Sequence, residues 1–268
     1  MIHTALSSSA CIGADIHTVL ETASAAGVHG VEWTDDGFVS PGDVSAARET
    51  MMATLRAGLC TVSYATLYRA VSHDRSAFRA ALATTREFNA PILRLWSSHR
   101  GDSPAADAAA FLDEIRYLGD EAGEQGVMLC LGLSHRSILD SSRTATGIMA
   151  GMDHPFVKLI WEPGSGELFD DAMEDFTLLS GRIGLVVARG EDVAPFNGGD
   201  ASSGALDGRA EAWLQYLDSF DEQCGDPDMA RYVVIKSIVG GTSRLSDSVS
   251  TIKAWSAKLR RYHRRRVM

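Results

Sequence analysis

Short apolar runs that lack a polar side recur along the chain, separated by longer stretches with helical character. Thr4-Ala5-Leu6-Ser7, Gly30-Val31-Glu32-Trp33, Cys60-Thr61-Val62-Ser63-Tyr64 and Pro91-Ile92-Leu93-Arg94-Leu95-Trp96 are the first four. The runs from Val127 to Leu133, Val157 to Glu162 and Ile183 to Arg189 follow, and Tyr232-Val233-Val234-Ile235 is the last. Parallel strands covered by helices on both faces have no solvated side, so they lose the in-and-out alternation of a half-exposed sheet. Eight such runs alternating with helices predict an α/β protein, a single (β/α)8 TIM barrel over residues 1–268. Its chemistry would sit on the loops that follow the C-terminal ends of the strands.

Capping signals place the helices. Asp15 is an N-cap for a helix to Ala26, which Gly27 stops; Pro41-Gly42-Asp43 opens a second that ends near Ala57 before Gly58. Ser76 to Phe88, Ala105 to Gln125, Ser142 to Met152 and Arg209 to Phe220 read as further helices, and no element is read between Pro163-Gly164 and Ile183. The Gly-, Ser- and Asp-rich stretch from Gly190 to Gly208 reads as a long loop after the seventh strand, either mobile surface or a segment that covers a site, and its place at the active face favours the second.

Composition narrows the partners. With 45% hydrophobic residues in 268, the chain can bury one large core. A net charge of −10 argues against nucleic acid, which requires a concentrated basic face. The basic tail from Lys258 to Arg266 reads as a solvated helix end. Cys11, Cys60, Cys130 and Cys224 have no ligand-like spacing and read as free thiols of a reducing compartment. No stretch approaches the ~18 apolar residues of a membrane span, and Met1-Ile2-His3 lacks the charge of a signal-peptide start. The expectation is a soluble, cytoplasmic protein that binds a small-molecule sugar or polyol; monomer and homo-oligomer both stay open.

Four segments, in order, carry a resemblance across nearly the whole chain: Ala25-Ala26-Gly27-Val28-His29-Gly30-Val31-Glu32-Trp33, Asn89-Ala90-Pro91-Ile92-Leu93-Arg94, His154-Pro155-Phe156-Val157 through Trp161-Glu162-Pro163-Gly164, and Gly204-Ala205-Leu206-Asp207-Gly208. The chain resembles the xylose-isomerase-like TIM barrels, which include sugar-phosphate isomerases and epimerases and inosose dehydratases. The resemblance implies a divalent cation held by a Glu ending strand five, an Asp and a nearby His after strand six, a His on strand seven and a Glu on strand eight. Here those positions read Gly132, with His135 displaced; Glu162, with Ser165 for the His; Val187 or Ala188; and Lys236 or Ser237. A divalent cation requires several converging anionic or imidazole ligands, and a lysine repels one. Neither a metal nor any other cofactor is expected at that site.

Glu32, Arg94, Glu162 and Lys236 end even-numbered strands, and alternate strands share an interior layer of such a barrel. The four are expected to form one ring of alternating sign, with Lys236 between Glu162 and Glu32. If that layer is desolvated, losing Lys236 would cost on the order of 3 kcal/mol. The ring can equally serve only to hold the barrel together, and a one-residue register slip would turn some members outward.

Other residues gather at the same end. His135 and His99 follow strands five and four; a histidine there suits general-base work near neutral pH, although a solvated loop histidine is the commoner case. Arg189, Glu191 and Asp192 follow strand seven. Trp33, Tyr64, Tyr68, Trp96 and Trp161 offer aromatic faces to a sugar ring or fill the barrel. His29 and His154 precede strands and read as structural. Two functions remain. One is proton transfer on a small polyhydroxylated carbonyl compound, with Glu162 or His135 moving the proton, Lys236 and Arg94 holding the enediolate oxygen, and Glu32, Trp33, Trp96 and Arg189 binding substrate. The other is a non-catalytic relative that keeps the barrel as a binding or partner subunit.

Overall fold

The computed structural model describes residues 2–70, 75–99, 101, 104–163, 169–189, 220, 231–237, 245–246, 249–250 and 253–254. Eight parallel strands close into a barrel in chain order: β1 (Ile2–Ser7), β2 (Gly30–Thr34), β3 (Cys60–Ala70), β4 (Ile92–Ser97), β5 (Met128–Gly132), β6 (Val157–Trp161), β7 (Ile183–Arg189) and β8 (Arg231–Ser237). Outside them lie α1 (Ile16–Ala26), α2 (Val44–Arg56), α3 (Arg75–Glu87), α4 (Pro104–Gly123), α5 (Ser142–Met149) and α6 (Phe169–Leu178). The (β/α)8 reading is therefore borne out.

Local chemistry explains the boundaries. Asp15 accepts the Thr18 amide at 2.8 Å and Asp43 the Ala46 amide at 2.9 Å, each satisfying a donor that its helix leaves open. Gly27 ends α1 in the left-handed region at φ 71°, where a side chain would be strained. Helix α6 went unread in the sequence because acidic residues crowd its short apolar face. Ala172 and Phe176 bury that face, and Phe176 meets Trp161 edge-on at 4.9 Å. The long loop from Gly190, the helix from Arg209 short of Phe220, Cys224 and the basic tail lie outside the described residues.

Strand β3 departs most from expectation, running to Ala70 rather than stopping at Tyr64. Its pairing with β4 steps from Ala65 opposite Arg94 to Arg69 opposite Trp96, so Thr66, Leu67 and Tyr68 bulge at the mouth. Within the barrel, Ala5, Val62, Ile92, Cys130, Ile160 and Val234 belong to a buried apolar cluster distinct from the larger one between sheet and helices. Burial pushes the Cys130 thiol up to about 12, which leaves it inert at neutral pH. This plug closes the interior below the C-terminal ends of the strands.

Candidate functional site at the barrel mouth

Above the plug the lining turns charged. Glu32, fully buried on β2, accepts from Ser63 Oγ at 2.7 Å and from Arg94 Nη1 at 2.6 Å. Burial opposes the Arg94 charge, but the carboxylates of Glu32 and Glu162 outweigh it and hold the guanidinium above its ordinary value. Glu162 directly follows β6. Lys236 Nζ stands 3.3 Å from both of its carboxylate oxygens, and Arg189 Nη2 is 3.3 Å from Oε1. The charges thus form two groups, Glu32 with Arg94 and Glu162 with Lys236 and Arg189. Lys236 reaches only Glu162: among the described residues no hydrogen bond joins it to Glu32. Its side chain is 37% exposed, against 9% for Arg94.

A cavity of about 150 Å³ opens over these groups. Arg94, Glu32 and Lys236 line it with the hydroxyls of Ser7, Ser9, Thr34 and Thr66, the carboxyls of Asp35 and Asp36, and the ring of Trp96. A second pocket of about 60 Å³ shares Arg94, Trp96, Gly132 and Ile160 with it and reaches Glu162. Among the described residues, the mouth therefore presents cations, carboxyls, hydroxyls and the rings of Trp96 and Trp161 to a small polar ligand.

No protein-family model matches the chain, and no curated protein matches it. Solved structures do. An L-ribulose 3-epimerase superposes at TM-score 0.68 with 12% identity, over 98% of this chain and 97% of that one. A probable 3-DHS dehydratase of Bacillus anthracis gives 0.66 with 11% identity, over 94% and 98%. A fusion of a xylose isomerase-like TIM barrel with a 4-hydroxyphenylpyruvate dioxygenase gives 0.68 with 16% identity, over 99% of this chain and 44% of that one. The chain has the xylose-isomerase-like TIM-barrel fold.

In that fold the resemblance placed a divalent cation at the mouth, and the described side chains at the positions it named supply one carboxylate, that of Glu162. At Gly132 a Cβ would stand 3.1 Å from ring carbons of Trp96, so the indole occupies the space of a ligand side chain. Glu162 already faces two cations, and Val187 and Ala188 are apolar and fully buried. Among the described residues no three His, Cys, Asp or Glu side chains are grouped to hold a metal.

The other sequence candidates separate by position. Trp96 lines both pockets, with the Arg69 guanidinium 5.9 Å from its ring. Trp33 does not reach the mouth: it is fully buried, its indole N–H donates to Thr54 of α2 at 3.2 Å, and it stacks near Phe88. Its neighbour Glu32 points inward, and consecutive strand residues face opposite ways. Tyr64 is likewise turned outward, donating to the Val39 carbonyl at 2.6 Å, and Trp161 packs on Phe176. His135 is exposed on the loop after β5 and lines neither pocket, and His99 is exposed too. Glu191 and Asp192 lie outside the described residues. His29 accepts the Thr4 amide at 3.2 Å and His154 the Phe156 amide at 3.1 Å, both away from the mouth. The sequence reading passed over Ser7, Ser9, Thr34, Asp35, Asp36 and Thr66. Thr34-Asp35-Asp36 could have been found, since it follows a strand directly at the end where barrel chemistry sits.

Proposed function

We propose that this protein transfers a proton on a small polyhydroxylated carbonyl compound, as a sugar isomerase or epimerase does, without a divalent metal at the mouth. The observation that carries the reading is the convergence of Arg94 and Lys236 on one hydroxyl-lined cavity of about 150 Å³. That volume lies below the roughly 300 Å³ at which pockets for larger ligands begin, and so favours a small one. The barrels it superposes on include an L-ribulose 3-epimerase and a D-psicose 3-epimerase.

Removing a proton beside a carbonyl drives the electron pair onto the carbonyl oxygen. Arg94 and Lys236 supply preorganised N–H donors for the enediolate that forms, and above an apolar plug such donors act more strongly than in water. Ser7, Ser9, Thr34 and Thr66 would hold hydroxyls, with Trp96 against a ring face. Glu162, the carboxylate assigned to the proton from sequence, keeps Lys236 and Arg189 in place.

The test is solvent-deuterium exchange at the carbon next to the carbonyl, across ketoses, aldoses, inososes and their phosphates. Glu162→Gln preserves size but cannot take a proton or balance two cations, so exchange should fall by roughly 10²–10⁴ with little change in binding. A binding-only relative is favoured by one observation, that both Glu162 oxygens already face cations. Equal binding to both proteins with no exchange of any compound would establish that reading instead.

A further inference from the structure

A carboxylate that takes a proton needs a lone pair free to receive it. The two carboxylates singled out at the mouth are committed. Glu32 gives one oxygen to Arg94 and the other to Ser63. Glu162 meets Lys236 with both oxygens and Arg189 with one. Asp35 differs. It follows β2 directly, lines the same cavity as Arg94 and Lys236, and is only partly exposed. Its Oδ2 accepts the Leu67 amide at 2.8 Å from the β3 bulge, and its own amide donates to the Ala65 carbonyl at 3.0 Å. Those two bonds aim the side chain. Among the described residues no cation pairs with it and no side-chain donor bonds it; besides the Leu67 amide, the donor beside its carboxyl is its own amide.

We propose that Asp35 is the catalytic acid–base residue of this cavity, and that Glu162 is a positioning residue for Lys236 and Arg189. The proposal rests on the proton-transfer reading above. In the step, the C–H bond next to the substrate carbonyl breaks and an O–H bond forms on Asp35. The electron pair moves onto the carbonyl oxygen, which Arg94 and Lys236 hold as an enediolate. Return of the proton from Asp35 to the same carbon regenerates the substrate; its delivery to the neighbouring carbon, with the remaining hydroxyl proton of the enediolate passing to the former carbonyl oxygen, gives the isomeric carbonyl compound, and either course frees the carboxylate. No oxidant, reductant or metal enters the balance.

The environment matches the role. Burial first, then the neighbouring carboxylate of Asp36, pushes the Asp35 carboxyl above its ordinary value against the opposing bond from the Leu67 amide, a direction that favours holding a proton. Among the described residues, the charged and titratable groups around it are Asp36 beside it, Tyr64 on β3, and Glu32, Arg94 and Lys236 on the cavity wall.

Asp35→Asn decides it, because the amide oxygen can still accept from Leu67 while the ionisable oxygen is gone. With the compound that wild type exchanges best, exchange should fall at least 100-fold, binding should change less than threefold, and the melting temperature should stay level or rise. A residue with a merely structural role would lose stability along with activity. If Asp35→Asn melts lower, Asp35→Glu decides: exchange within tenfold of wild type supports the assignment, and its loss overturns it. Wild-type exchange rates in Asp35→Asn would overturn the Asp35 role and leave the proton-transfer reading standing. Should wild type exchange none of the compounds, that reading falls and the Asp35 role with it.

Discussion

Arg94 and Lys236 both face a glutamate, yet burial makes them unequal. Arg94 is 9% exposed and its partner Glu32 is fully enclosed, so Arg94→Met leaves a carboxylate uncompensated above an apolar plug. That should cost about 3–5 kcal/mol in denaturant unfolding. Lys236, at 37% exposure, keeps water, and Arg189 remains against Glu162 in its absence. Lys236→Met should cost about 1 kcal/mol or less, well under the 3 kcal/mol anticipated for a desolvated ring. Equal losses in the two variants would show that the pairs share one environment. Asp35 adds a pH signature. Its pKa is raised on folding, so between its unfolded and folded values the native state binds more protons than the unfolded chain, and stability falls as pH rises through that window. The native state keeps that penalty at neutral pH. Asp35→Asn removes it, so the melting-temperature difference between variant and wild type should grow from acid toward neutral pH. A difference independent of pH would show that Asp35 titrates as it does in the unfolded chain.

Strand and helix boundaries were legible to within about a turn wherever a cap or a glycine marked them, as Asp15, Gly27 and Asp43 did. Strand β3 was not. Its second half, from Ala65, carries Thr66, Tyr68 and Arg69, and the bulge breaks the apolar run that periodicity detects. That bulge matters because it brings the Leu67 amide to Asp35, a contact between residues 32 apart in the chain. Close packing of neighbouring strands gives a second prediction at this scale. A Cβ at Gly30 would lie 2.5 Å from the Cys60 carbonyl oxygen, whereas at Gly147, exposed on α5, nothing stands within 4 Å. Gly30→Ala should therefore destabilise by about 1–3 kcal/mol through overpacking. Gly147→Ala should stabilise by up to about 1 kcal/mol through helix propensity. Thermal melts of the two variants check both signs, and a neutral Gly30→Ala would mean that β2 and β3 can part to admit a methyl group.

Across the whole molecule, no helix among the described residues is long and apolar enough to cross a membrane. The ion-pair layer at the mouth stands where relatives of this fold were expected to hold a metal. Purified protein should carry less than about a tenth of an equivalent of Zn, Mn, Mg or Co, because among the described residues no three His, Cys, Asp or Glu side chains are grouped to hold one. Its melting temperature and exchange activity should survive a chelator. Stoichiometric metal by elemental analysis, lost together with activity on chelation, would return the site to the metal-dependent class.

The sequence by itself determined the barrel, since eight two-sided apolar runs separated by helices have few ways to bury both faces other than a closed parallel sheet. The period of two also carried more than was read from it. Trp96, two residues from Arg94, shares its inward face, while Trp33, one residue from Glu32, cannot. Only the tertiary structure decided which charges pair, how much water each keeps and which backbone amide meets Asp35. Those properties depend on strand register and on bulges that join distant residues, and local periodicity holds no record of either.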